Sequence, residues 1–221
     1  MTPSSNITAG SRFDSVAAGW DDKPGRAVMA AAIAGAVADA VPLRQDMSAL
    51  DFGAGTGLLT LALALRVKEV TALDASREML RVLAEKTRAA DIGNIVTLHA
   101  DIERDPLPAA RFDLAAGAMV LHHLSDVPGA LRRLHSSLRP GGWIALADLD
   151  SEDGSFHGDA QGVHHKGFDR ARLRQWLEEA GFAWCSARTA YLLTRAGRDG
   201  VERSYPLFLA AAHVPQRCQQ T

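Results

Sequence analysis

Residues 51–57 read Asp51-Phe52-Gly53-Ala54-Gly55-Thr56-Gly57, with a short apolar strand before them (47–51, MSALD) and a helical stretch after them (56–66). Glycine permits a tight turn and lets backbone approach a ligand with no Cβ in the way. The N-terminus of the following helix offers unpaired N–H groups. The spacing is G-x-G-x-G and not the G-x-G-x-x-G of a dinucleotide turn. Asp51 closes the strand just ahead of the loop, where a carboxylate repels a pyrophosphate and welcomes a cationic amine.

The same strand–turn–helix rhythm continues on the C-terminal side. Residues 69–74 (EVTALD) form a second predicted strand, ending in Asp74, and Ser76 is placed to cap a helix running to about residue 90. Asp74 stands where doubly wound folds set an acid on ribose hydroxyls, two carboxylate oxygens facing a vicinal diol. A third strand (94–99, NIVTLH) is followed by Asp101 and Ile102, an acceptor for an exocyclic amine beside an apolar surface for a ring face. Residues 111–120 contain a fourth, nearly all-apolar strand, as burial on both faces requires. A helix over 126–138, the turn Arg139-Pro140-Gly141-Gly142 and a fifth strand at 143–149 come next. Asp169 caps a helix that ends at Gly181, and two apolar runs, 183–193 and 204–214, read as a terminal hairpin. Five alternations and a hairpin predict a doubly wound α/β fold, a seven-stranded mostly parallel sheet with the last strand antiparallel at one edge. Ligands of such sheets lie at the carboxyl ends of the strands, at the topological switch point.

On the N-terminal side, an Ala-rich stretch over 24–41 reads as a core-facing helix, with Pro24 at its start and Pro42 after its end. Its small residues also suit a dimer interface, so the expected state is monomer or homodimer. The division expected is an N-terminal segment and possible lid over 1–24, the main domain over 25–214 and a tail over 215–221, with 1–11 frayed.

Composition narrows the function. The 221 residues carry 24 Lys+Arg against 26 Asp+Glu, a formal net charge of −2, so there is no overall basic field for a nucleic-acid partner. Cys185 and Cys218 fit no metal or redox spacing, and a cytoplasmic location is expected. The apolar stretch 27–38 is too short to span a bilayer, and the polar head MTPSSNITAG has no signal-peptide pattern, so no membrane partner is expected.

In order and at fitting distances the chain presents DFGAGTG, the acid of LDAS, the Ala-Asp after the third strand, FDLAAGAMVLHHL and LRPGGWIALAD. Over residues 12–213 this resembles the class I S-adenosylmethionine-dependent methyltransferases, of the broad type that includes ubiquinone- and menaquinone-pathway enzymes. The resemblance implies a seven-stranded fold, S-adenosylmethionine as cofactor and a small-molecule methyl acceptor. It implies that Gly53, Ala54, Gly55 and Gly57 lie under the methionine and ribose part, with Asp51 toward the ammonium. It sets Asp74 on the ribose diol, Ala75 and Met79 around the adenine, Asp101 on the adenine amine with Ile102 beside it, and Gly117 and Ala118 along the methionine side. Relatives often carry a polar residue where Gly117 or Ala118 stands, so backbone contacts alone are expected there.

The acceptor side is less defined. Phe13 and Trp20 precede the first long helix and suit an aromatic lid or staples of that helix on the core. His122 and His123 follow the fourth strand; His122 near the cofactor mouth is a candidate base, and a structural or solvent-facing place is the plainer reading for His123. His157, His164 and His165 lie in the polar segment DLDSEDGSFHGDAQGVHHKGFD. His157 and His165 are candidates for the acceptor pocket, against a solvated loop with incidental histidines. Joined to Asp150 or Asp153 they suit a metal, but no compact ligand spacing is present, so no metal is expected. No catalytic residue is assigned. The rival readings are a non-catalytic S-adenosylmethionine-binding or regulatory protein, a nicotinamide-dependent oxidoreductase, and an RNA or protein methyltransferase. Against the oxidoreductase stand Asp51, the glycine spacing and the lack of a Tyr-x-x-x-Lys pair. Against the last stand the charge balance and the lack of an Asn/Asp-Pro-Pro-Tyr/Phe motif.

Overall fold

The computed structural model describes residues 10–157 and 162–216. The elements run α1 (Ser11–Asp14), α2 (Arg26–Ala40), β1 (Ser48–Phe52), α3 (Leu58–Ala64), β2 (Glu69–Asp74), α4 (Arg77–Ala89), β3 (Ile95–His99) and β4 (Phe112–Ala118). A 3-10 turn (Leu121–His123), α5 (Val127–Ser137), β5 (Leu138–Leu149), α6 (Arg170–Glu179), β6 (Ala183–Ala196) and β7 (Glu202–His213) complete them. Three helices begin on a side-chain cap, and the sequence places two of them, at Ser76 and Asp169. Ser76 accepts from the Met79 amide, Asp126 from Gly129 and Asp169 from Arg172, each satisfying a donor that the helix start leaves open.

The seven strands form one sheet in the order β3-β2-β1-β4-β5-β7-β6. β1 to β5 pair in parallel, and β7 is antiparallel to both β5 and β6. The hairpin's second strand therefore lies inside the sheet, and β6 takes the edge that the sequence assigned to the antiparallel strand. β7 fits there because Leu207 to Ala212 are all buried, whereas β6 alternates half-buried and exposed residues. β5 also starts at Leu138, earlier than expected, because Leu138 pairs with Phe112 before the register shift near Leu114.

Both faces are covered. Leu114 and Ala116 of β4 join the layer with α2 and α3, while Ala115 between them joins the layer with α5 and α6. That alternation explains why the strand is apolar throughout. The Ala-rich helix α2 buries Ala30, Ile33, Ala36 and Val37. α1 begins inside the stretch expected to fray; the rest of that stretch, Cys218 and most of the tail lie outside the described residues. Among the described residues no helix is long and apolar enough to cross a membrane.

Candidate active site

The chain leaves β1 for β2 on one side and β4 for β5 on the other, so the sheet divides between β1 and β4. Connections diverge there and open a crevice at the carboxyl ends. A cavity of about 550 Å³ occupies it. Its floor comes from Asp51, Gly53, Ala54 and Gly55, then Asp74 and Ala75 after β2, Asp101 and Ile102 after β3, and Ala118, Met119 and Val120 after β4. Met79 of α4 and Met29, Ala30 and Ile33 of α2 form apolar walls, and Arg12, Phe13 and Trp20 reach in from the N-terminal segment.

The glycine loop serves two ends. An added Cβ on Gly53 would stand 2.3 Å from Val120 Cγ2, so this glycine permits the loop to pack on the turn after β4. Gly55, at φ +56°, has no atom within 4 Å of its added Cβ. Its open side is cavity, and its amide donates to Asp74 Oδ2 at 2.7 Å. Asp74 Oδ1 accepts from the Ser76 amide at 2.8 Å. Each oxygen keeps a lone pair, since a carboxylate offers about four acceptor positions. Burial raises Asp74's carboxyl above its ordinary value although the amides of Ser76 and Gly55 pull the other way.

Asp51 is buried at the end of β1 and accepts from the Thr60 hydroxyl at 2.5 Å. Burial, with Asp74 adding to it and Thr60 opposing, pushes its carboxyl up to about 7. Asp101 accepts from the Glu103 amide at 2.9 Å and lies 3.6 Å from Arg104.

Two glycines expected at the cofactor do other work. An added Cβ on Gly117 would press on the Phe52 ring at 2.5 Å, and one on Gly57 on Leu83 at 2.2 Å, so both accommodate core neighbours and neither lines the cavity. Met119 and Val120 take the place beside Ala118. Met119 has a left-handed backbone, φ 57°, held by its amide's bond to Ala147 O at 2.8 Å. A non-glycine residue in that region is strained, and such strain collects at functional sites.

The histidines sort in a way the sequence leaves hidden. His123 and His164 line the cavity; His122, His157 and His165 do not. His165 packs on Phe168 and Trp176, ring centroids 5.1 and 6.5 Å away. His122 is 2% exposed and sits behind His123, its Nδ1 2.7 Å from Oδ1 of the fully buried Asp148. Burial alone would raise Asp148's carboxyl, but His122 and the amides of Leu149 and His122 hold it below its usual range. The His122 ring lies 4.0 Å from that of His123 and 4.9 Å from that of His157. Burial, His122 and Arg12 push His123 down to about 3; burial and His122 bring His157 to about 4. The expected partners Asp150 and Asp153 lie elsewhere: Asp150 pairs with Arg170 at 2.6 and 2.7 Å, and Asp153 accepts from the Ser155 amide.

The polar segment after β5 is tied at its base. Ser151 bonds Phe168 O, Glu152 bonds Lys166 O, and His164 bonds His122 O. The N-terminal segment is latched as well. Asp21 accepts from the Thr56 hydroxyl at 2.6 Å and pairs with Lys86, whose Nζ also donates to Thr56 O. Asp14 accepts from the Ser76 hydroxyl at 2.5 Å. Phe13 contacts Trp20 edge-on at 5.8 Å and His123 at 5.3 Å.

A profile described as a methyltransferase domain matches residues 26–187. The chain belongs to that methyltransferase family. An uncharacterised methyltransferase of Mycobacterium bovis is 40% identical over 111 residues, 50% of this chain and 55% of that protein. A malonyl-[acyl-carrier protein] O-methyltransferase of Serratia marcescens is 38% identical over 111 residues, 50% of this chain and 42% of that protein. The chain thus spans about half the length of the curated relatives it matches. Among solved structures, YcgJ of Bacillus subtilis superposes with TM-score 0.71 at 18% identity, covering 84% of this chain and 99% of that one. An S-adenosylmethionine-dependent methyltransferase of Aquifex aeolicus gives 0.67 at 20%, covering 92% and 97%. These two likenesses concern the fold.

The cofactor of this methyltransferase family is S-adenosylmethionine, and the residues present fit it on two observations. Gly55 leaves a space that any side chain would fill. Asp51 and Asp74 present carboxylates to the same cavity, which suits a ligand with a cationic end and a diol.

Proposed function

We propose that the methyltransferase transfers a methyl group from S-adenosylmethionine to a small-molecule acceptor enclosed beneath its N-terminal segment. The observation that carries this reading is the shared cavity: acids from the ends of three successive parallel strands on one side, Phe13, Trp20 and the apolar face of α2 on the other. Asp51 receives the cofactor's ammonium, Asp74 the ribose diol, and Asp101 the adenine amine with Ala75, Met79 and Ile102 around the ring. The cofactor supplies an activated methyl on a sulfonium. The chain holds the acceptor in line with it and excludes water. Orientation of this kind is worth roughly 7–11 kcal/mol in favourable cases. Phe13, Trp20, His123 and His164 bound the acceptor side, and the latches of Asp14 and Asp21 keep the segment seated.

Calorimetric titration with S-adenosylmethionine and, separately, with NAD tests the cofactor, and methyl release to candidate acceptors follows. Micromolar binding of the first and none of the second is expected. No binding of S-adenosylmethionine by a folded chain removes the reading. Asp74→Ala tests the ribose assignment. Each charge-assisted bond lost costs roughly 1.5–3 kcal/mol, and the Gly55 and Ser76 amides lose their acceptor too. At least about a tenfold loss of cofactor affinity is expected; unchanged affinity in the folded variant contradicts the assignment.

A further inference from the structure

We propose that His122, His123 and His157 form a three-histidine site for a divalent transition cation of the zinc class, oriented by Asp148 and reached from the cavity. Their ligand nitrogens all lie within 4.8 Å of one another. Zinc–nitrogen bonds of about 2.0–2.1 Å at tetrahedral angles set nitrogens about 3.3 Å apart, so closure needs roughly 1.5 Å of side-chain movement at most. Three imidazoles are a ligand set suited to zinc, cobalt, nickel or copper.

The second observation is what stands behind the rings. His122 directs Nδ1 at Asp148 Oδ1, 2.7 Å away, and Asp148 is fully buried. His123 directs Nδ1 at Gly162 O, 3.0 Å away. With the proton on Nδ1, His122 donates to Asp148 and leaves Nε2 as a lone pair; His123 takes the same form, donating to Gly162 O, once the Arg12 guanidinium, itself a donor, leaves its Nδ1. A carboxylate or carbonyl behind the ligand is the usual support of metal-binding histidines, fixing tautomer and ring orientation. A buried carboxylate near the end of an apolar strand is also costly, and a cation at the facing ring would compensate it. Two cationic side chains oppose the ion: Arg195 acts on His157 from a distance, and Arg12 NH2 lies 2.8 Å from His123 Nδ1 and 3.3 Å from Nε2. Arg12 belongs to the N-terminal segment, so seating the cation requires that side chain to withdraw.

The backbone ties at this point are firm. His164 and His165 donate their amides to His122 O at 2.9 and 3.3 Å, holding the segment after β5 against the turn that bears His122 and His123. His123 alone of the three lines the cavity, so a cation held there is approached from the acceptor side. That consequence for the acceptor rests on the function proposed above; the cation site itself does not.

The test is direct metal binding by the full chain after chelator treatment and dialysis. Zn²⁺ is titrated calorimetrically, and Co²⁺ is followed by visible absorption. One equivalent is expected, with the strong bands of four-coordinate cobalt displaced by zinc. His157→Ala should weaken zinc at least a hundredfold and remove the cobalt bands. Asp148→Asn should weaken it roughly 10- to 100-fold, the usual effect of losing such a supporting group. S-adenosylmethionine affinity serves as the folding control for both, and if Asp148→Asn does not fold, the half-buried His157 carries the test. Absence of saturable metal binding by a chain that binds S-adenosylmethionine overturns the proposal, as does undiminished binding in His157→Ala. Metal binding without S-adenosylmethionine binding would uphold this site and remove the function proposed above.

Discussion

Gly55→Val is expected to abolish binding of S-adenosylmethionine, with at least about a hundredfold loss of affinity, equivalent to roughly 2.7 kcal/mol. Three glycines of the loop share a left-handed backbone, yet their surroundings differ. A side chain on Gly53 collides with Val120 and one on Gly57 with Leu83, so those substitutions damage packing. At Gly55 the added atom meets nothing within 4 Å. The damage is confined to a backbone penalty of roughly 1–2 kcal/mol for an L-residue at positive φ and to the space itself. Branched carbons at Cβ would then stand in the cavity between Asp51 and Asp74. Titration calorimetry on the variant, with a thermal melt to show that it folds, checks the expectation. Tight binding by folded Gly55→Val would show that the cofactor does not pass over this loop.

The sheet was legible because each crossover announces itself locally. β2 begins and ends at the expected residues, and the Ser76 and Asp169 caps follow from single residues at helix starts. Strand order after β5 was not legible. Two apolar runs predict a hairpin but not which member is inserted, and only burial, complete along Leu207 to Ala212 and broken along β6, decides it.

Most cofactor-side positions were legible for the same reason: Asp51 and Asp74 lie in the last two residues of their strands and Asp101 just past β3, and doubly wound sheets gather strand ends into one crevice. Gly117 satisfies the same rule, but the side on which its Cβ would stand receives the Phe52 ring. The turn two residues later, at Met119, brings the chain into the cavity. No residue type marks that turn, since methionine gives no signal for positive φ.

The sequence offered His122 as a candidate base and His157 and His165 for the acceptor pocket, but not their grouping. His122 and His123 are adjacent with rings 4.0 Å apart, and which one faces the cavity depends on the 3-10 turn that bears them. The one local sign was Asp148, a charged residue inside the strand IALADL. A carboxylate there needs a partner, and the partner lies 26 residues earlier. Spacing rules for metal ligands do not reach contacts of that kind, and an expectation of no metal drawn from spacing alone has no purchase on a cluster assembled from two distant turns.

Asp51 carries the last expectation, a steep pH dependence of cofactor binding below neutrality. Its carboxyl stands at about 7 because burial disfavours the charge, Asp74 adds repulsion, and Thr60's bond offsets only part. Arg12, Arg26, Glu103, Arg104, His123 and His164 also border the cavity, but Thr60 and Asp74 are the groups that act on Asp51 most directly. A raised acid binds its proton more tightly folded than unfolded, so the cofactor-free chain should lose stability as pH rises from about 4 to about 7. A cationic ammonium beside the carboxylate reverses the balance and binds the ionised form. Affinity should therefore fall on acidification by up to tenfold per pH unit below about 7, and lie roughly twenty- to thirtyfold lower at pH 5.5 than at 7.5. Above neutrality it should level off until the cofactor's own amine sheds its proton. Asp51→Asn should bind weakly at pH 7.5 and show no acid limb. Calorimetric titrations at a series of pH values, corrected for buffer protonation, measure both curves. An acid limb that survives in Asp51→Asn would assign it to another carboxylate of the cavity, Asp74 first, and would separate Asp51 from the ammonium.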